Sequence, residues 1–415
     1  MTYNLSRIAG AAMTALLATS LAQAASFSDL VHSGKVNGYL RAYEWSNHNR
    51  YFSGTDNNTF VVGGKLKVIS GEIDHFSVGA AFYTAHSPGV SSNPNQSEPT
   101  LGTDIDTLGE AYLNYANGPL KVRIGRQKID TPFANSADYR MIPALYEGAT
   151  LNYHPFASLD ITLGRINRYK SWTSSTFDRT DNETAGPFAK FSNISTNGFW
   201  YAGIHHELAL QSQSLTSQGW YYDFSNIAHL VFIDEKLAFK ESSSFSPFVG
   251  VQYANEKGEG AQLFGPVNAR AYGATLGAGL GQDSVSVGAI HIPARVGAFN
   301  NGGLVSPYTD GYGSAALYTG NMLFPTEGLG SGNAYVLSGS HVFNSQWSGW
   351  AAYNRFNQTS SNTAASPMNE YVVSLSYLPQ GYFKGVKLSD MLGYATQAGA
   401  SHHFVQNRLM VQYDF

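Results

Sequence analysis

The chain has no cysteine, which excludes a disulfide scaffold and any thiolate nucleophile or thiolate metal site. Charge is scarce as well. Asp, Glu, Lys and Arg make up 13% of the residues, against roughly 25% in ordinary soluble domains. The formal net charge of −4 offers no basic excess, which argues against a nucleic-acid surface. Long apolar runs are missing too: after Ala24 no stretch reaches the roughly 18 residues of a membrane helix. A chain like this crosses a bilayer only as a closed barrel, because open sheets and loops leave backbone groups unsatisfied in lipid.

What is present points the same way. Arg7, the apolar run Ile8 to Leu21 and Ala22-Gln23-Ala24 read as the three parts of a cleavable leader. The run, at ~14 residues, is too short for a transmembrane anchor. We expect a signal peptide over residues 1–24 and a single β-barrel domain over 25–415, with no repeat and no linker. Tyr (26), Phe (24) and Gly (43) are abundant, as aromatic girdles and strands with small residues require.

The last strand carries the pattern most clearly. Leu409, Val411, Tyr413 and Phe415 fall on one face, and Arg408, Met410, Gln412 and Asp414 on the other. That is a strand with one oily and one wet side. Cutting the chain by the same rule predicts an all-β, antiparallel transmembrane barrel of about eighteen strands, from 35–45 to 403–415. The connections alternate in length. Gly71–His75, Asn117-Gly118, Pro155–Ser158, Gly281–Ser284 and Asn344–Gln346 are short, whereas 46–59, 87–106, 128–145, 170–197, 256–268, 293–332 and 357–368 are long. Short periplasmic turns and long external loops are the layout of such a barrel, and a soluble sandwich has no reason for it. The connection near 225–227 is short on the long side.

Residues 118–148 combine a strand whose Lys121 and Arg123 share a face with a loop holding Pro132, Asp138, Arg140 and Pro143. Ile129, Phe133, Met141, Ile142 and Leu145 make that loop too apolar for solvent. It folds into the lumen or packs on neighbouring external loops. The order Gly-Arg-Gln, Pro, then Asp138-Tyr139-Arg140-Met141-Ile142-Pro143 and Glu147-Gly148 resembles the constriction-loop region of the OprD family of substrate-specific outer-membrane porins. Gly38-Tyr39-Leu40-Arg41-Ala42-Tyr43, Gly219-Trp220-Tyr221-Tyr222-Asp223 and Arg408 to Phe415 resemble that family's first, middle and closing strands. The resemblance implies an eighteen-stranded, usually monomeric channel for small carboxylate-bearing solutes. It also implies that two loops narrow the pore and basic side chains line its wall. The closing Tyr-Asp-Phe and the Gly- and Tyr-rich stretch 300–330 depart from the family pattern.

Parity places Arg41, Lys65, Lys67, Lys121, Arg123, Arg355, Lys387 and Arg408 away from the oily stripe, as candidate pore-lining cations. A lipid-facing Arg or Lys at mid-bilayer costs ~2–4 kcal/mol, which favours the lumen; the alternative is snorkelling at an interface. The same rule puts only Glu110, Asp160, Asp223 and Glu370 inward. Basic rings select anions. Arg165 and Ile166 break parity and predict a bulge near Gly164, and Asp390 falls on the oily side.

The adjacent pairs His205-His206 and His402-His403 point to opposite faces of a strand and suit no shared metal. No metal or cofactor is expected. The function expected is passive, selective diffusion, with outer-membrane lipids around the barrel. A barrel protease or lipase and an adhesive surface protein are the other classes. No converging Ser/His/Asp set supports the first of these alternatives.

Overall fold

The computed structural model describes residues 33–88, 101, 104–179, 194–239, 245–309, 316–320, 322–361 and 366–415. The leader expected at 1–24, and parts of the connections at 87–106, 170–197, 293–332 and 357–368, lie outside the described residues.

Period-two alternation becomes long strands, each paired with its neighbour in sequence. They are β1 (Lys35–His48), β2 (Asn57–Ile69), β3 (Phe76–His86), β4 (Ile105–Asn117), β5 (Leu120–Gln127), then β8 (Leu145–Phe156), β9 (Leu159–Lys170), β10 (Phe199–Ala209), β11 (Gln213–Phe224) and β12 (Ala228–Phe239). There follow β13 (Ser246–Gly258), β14 (Asn268–Leu280), β15 (Asp283–Ile292), β16 (Ser331–Val342), β17 (Trp347–Thr359), β18 (Met368–Tyr377), β19 (Val386–Gln397) and β20 (Phe404–Asp414). Inside the β5–β8 connection, β6 (Asp130–Thr131) and β7 (Ala134–Asn135) form a small separate hairpin. The other strands make one 18-stranded antiparallel sheet. It closes where β1 meets β20, from Tyr39↔Asp414 to His48↔Val405, so no edge is left to lipid. One rim carries tight turns; that after β4 uses Gly118 at φ +54°, a conformation open to glycine. The other rim carries the long connections, save the turn 225–227 and the shorter connection 398–403.

The burial pattern is inverted relative to a soluble sheet. Leu40, Leu276 and Val373 stand more than half exposed on the outer wall, while Tyr43, Trp45 and Tyr83 are buried inside. Lipid is the solvent of the outer wall, and inward-folded loops fill the inside. Outward tyrosines stack laterally towards the long-loop rim, with ring centroids 5.5 Å apart for Tyr253–Tyr272 and 5.0 Å for Tyr353–Tyr371. Trp347–Tyr377, at 4.4 Å, marks the other rim. These are the two aromatic belts that the composition called for.

The bulge expected near Gly164 is elsewhere. Gly164 pairs regularly with Thr150, and the register shifts only between Ile166 and Arg168, where Gly148 opposes Ile166 and Glu147 opposes Arg168. Asn167 is the extra residue. Arg165 therefore faces outward with Leu163, and Ile166 is buried inside. Asp390 does sit on the oily wall, where it accepts a hydrogen bond of 2.7 Å from the Asn407 amide. That bond offsets part of the cost of a polar group in lipid.

Candidate functional site

A closed barrel of this size has an open lumen unless something folds into it. Here two connections do. The first, 128–144, is apolar enough to leave solvent, and its Phe133 packs across the lumen on Tyr222 and Phe232, at 6.0 and 5.3 Å between ring centroids. The Tyr222 hydroxyl accepts the Phe133 N–H at 3.2 Å. Cations hold the root of this loop. Arg41 on β1 donates to the Arg140 carbonyl and lies 3.5 Å from Asp138. Lys128 reaches the other Asp138 oxygen at 2.8 Å. Burial works against the Lys128 charge, but Asp138 outweighs it and holds the ammonium above its ordinary value. Arg140 is buried, its guanidinium 3.7 Å from the Trp45 ring centroid and 4.5 Å from that of Trp172. Pro143 is buried beside Met141 and Ile142.

The second loop, 293–330, is held by the opposite charge. Glu256 on β13 accepts the Val305 N–H at 2.7 Å. Glu370 on β18 accepts those of Met322 and Leu323, at 3.0 and 2.8 Å. Asp234 on β12 receives the Tyr318 hydroxyl at 2.6 Å. Charge-assisted bonds to backbone N–H groups let these carboxylates be buried. Leu304, Val305 and Tyr308 join one buried cluster, and Met322, Leu323 and Phe324 another. The loops meet where the Tyr146 hydroxyl donates to the Tyr308 carbonyl at 2.7 Å.

Between the anchors lies a wall pocket lined by Asn114, Lys121, Arg123, Lys128, Thr150 and Tyr201, among others. The Arg123 guanidinium stacks 4.2 Å from the Tyr112 ring centroid, and its buried Nε has no hydrogen-bond partner among the described residues. Lys65 lies 5.1 Å from the Tyr39 ring centroid. The nearby acids are engaged. Glu110 bonds Lys67 and Tyr83, and Asp130 bonds Ser136.

Of the eight cations picked from parity, seven share the inner face. Arg41 and Arg408, on neighbouring strands, are loop anchors; Arg408 donates to the Met322 carbonyl at 2.9 Å and covers Trp45. Lys67 is paired, while Lys65, Lys121 and Arg123 line the wall. Lys387, opposite the inward Gln412, lies at the short-turn end. Arg355 is the exception. It shares the outward face of Tyr353 and Tyr371 and donates to Asn369 at 3.0 Å, so it snorkels in the aromatic belt. Asp223, read as inward, also faces out, opposite the exposed Trp200.

Parity missed Glu256 and Asp234 as inward anchors, although alternation with the buried Ala254 and Phe232 carries the signal. It also missed a cluster at the turn 225–227. Asp223, His229 and Glu259 bring one donor atom each within 4.8 Å of one another. Glu259 accepts the Asn226 N–H there at 2.5 Å, so the group ties down a turn outside the lumen.

A model of the outer membrane porin, OprD family, matches residues 111–292. No curated protein matches the chain by sequence. Among solved structures, OccK9 (OpdG) of Pseudomonas aeruginosa is 15% identical with a TM-score of 0.78, over 93% of this chain and 99% of that one. OccAB2 of Acinetobacter baumannii is 14% identical with a TM-score of 0.78, over the same shares. OpdK of Pseudomonas aeruginosa, solved with vanillate, is 15% identical with a TM-score of 0.74, again over 93% and 99%.

Proposed function

We propose that the chain is a porin of the OprD family, whose model matches residues 111–292, and that it lets small carboxylate-bearing solutes, anionic or zwitterionic, diffuse selectively through its lumen. It works in the outer membrane, as a channel and not as an enzyme. Arg123 carries the reading of the solute class. Its planar fork faces a wet pocket, with a buried Nε that no described residue satisfies, while the carboxylates around it are already bonded. An arriving carboxylate supplies the two acceptor oxygens that such a fork takes. Lys65, Arg123, Lys121 and Lys387 then offer successive weak stations, so that binding does not prevent release. OpdK holds vanillate, itself a carboxylate. Closure of the barrel within one chain supports a monomeric channel.

Arg123→Gln tests this, because it keeps length and polarity and removes the charge. Reversal potentials in a salt gradient are expected to shift towards cation selectivity. Benzoate or vanillate flux is expected to fall, more at low than at high salt, since screening shortens the reach of the charge. A wild-type channel that already prefers cations, or a variant with unchanged selectivity, would falsify the carboxylate reading and leave the barrel intact.

A further inference from the structure

The outer wall carries its own basic cluster, unrelated to the lumen. Arg126 on β5 and Arg168 on β9 flank Glu147 on β8, in direct register. Arg126 Nε lies 3.1 Å from one Glu147 oxygen and Arg168 Nη1 3.3 Å from the other. Arg165, on the same face of β9, donates to the Asn197 carbonyl at 2.6 Å and lies 5.3 Å from the exposed Trp200 ring centroid. Arg179, whose carbonyl accepts the Thr196 N–H, stands within electrostatic reach of Arg165. Four guanidinium groups thus meet the bonded Glu147, with Asp178 beside Arg179 and Asp223 within electrostatic reach of Arg165, and the described side chains still sum to a positive cluster. The acids on either side are engaged: Asp106 lies 3.1 Å from His86, and Asp223 lies 3.4 Å from His229.

Position names the occupant. These strands end at the long-loop rim, and directly below the cluster the same face presents the lipid-exposed Ile124 and Leu163. A ligand seated here has its charged part at the rim and its apolar part along the barrel wall. Arginine forks match phosphate oxygens in pairs, and their charge acts on headgroups within a Debye length. We infer that Arg126, Arg165 and Arg168 bind the phosphate of a phosphorylated glycolipid in the outer leaflet. This rests on the membrane placement and not on the solute reading.

The probe is bis-phosphorylated lipid A, compared with the same lipid after phosphatase treatment, titrated into the detergent-solubilised full chain and followed by native mass spectrometry. The phosphorylated form should bind roughly tenfold tighter. Arg165→Gln with Arg168→Gln should bind both forms alike, with channel conductance as the check that the barrel is folded. If that pair does not fold, the more exposed Arg168→Gln alone should lose part of the preference, and Glu147→Gln should strengthen it. Equal binding of the two lipids by the wild type, or an undiminished preference in the arginine variants, overturns the proposal. Inorganic phosphate should not displace the lipid. Displacement by phosphate alone would mark a free-anion site and sink the lipid assignment.

Discussion

The two loops that fold into the lumen are held by opposite means. Residues 128–144 are gripped by cations, with Arg41 on a carbonyl and both Arg41 and Lys128 on Asp138. Residues 293–330 are gripped chiefly by carboxylates, with Glu256 and Glu370 on backbone N–H groups, and by one cation, Arg408, on the Met322 carbonyl. In each case a buried charge is tolerable because the loop backbone satisfies it. The lesson concerns the field in the pore. Counting inward charges misleads, because anchors of both signs are already tied to the loops through at least one hydrogen bond each. What a solute meets is the remainder, and there Arg123, Lys65 and Lys121 form no ion pair among the described residues.

Removing the loops one at a time is the harshest test of that contrast and carries the largest expected effect. Replacing 306–325 with a short Gly-Ser linker takes out contacts in two buried clusters, whereas deleting Asp130–Ala137 takes out chiefly Phe133 and its hairpin. Single-channel conductance should rise severalfold in the first variant and less in the second. Equal conductance in wild type and both variants would mean that neither loop limits the pore.

Cutting single anchors sharpens the contrast at smaller scale. Glu370→Ala leaves the Met322 and Leu323 N–H groups without their acceptor, at about 1–3 kcal/mol for each buried orphan. Arg41→Gln removes a charge but leaves Asp138 its bond to Lys128. Open-channel noise and protease sensitivity of the affected loop should therefore increase more for Glu370→Ala than for Arg41→Gln. The reverse order would show that the acid-held loop stays in place by apolar packing alone.

The barrel itself was legible, because lipid forces one oily face on every strand and the alternation of turn lengths marks the two rims. Every expected strand appears, including the short 225–227 turn that broke the pattern. The errors have one physical cause. Parity assumes a wet lumen, but Asn354, Phe356 and Gln358 on β17, and Tyr222 and Phe224 on β11, face loops that fill the lumen and are buried there. In those sectors the inner face is buried and partly apolar, so the rule turned Arg355 and Asp223 the wrong way round. The candidate loop with Asp138, Arg140 and Pro143 was legible from its apolar residues. The acid-held loop offered only its Gly and Tyr content, since its anchors lie on strands far away in sequence.

The smallest expected effect is a pH dependence confined to the cation-held loop. Lys128 and Asp138 lie 2.8 Å apart, and the lysine pKa is raised from its ordinary 10.5. A cation with a raised pKa in the folded state contributes its full tether below the ordinary lysine value and loses it only as pH climbs through the higher, folded value. The Lys128 contribution to wild-type conductance should therefore stay level across neutral pH and change only in the strongly alkaline range. Tyr308, pushed by burial up to about 12, keeps its proton through most of that range and does not confuse the signal. Arg41 also lies on Asp138, so part of the grip persists and the rise stays small. In Lys128→Gln the baseline should be slightly higher and the alkaline rise absent. An alkaline rise of equal size in Lys128→Gln would assign the tether to other groups and remove the distinction between the two loops at this site.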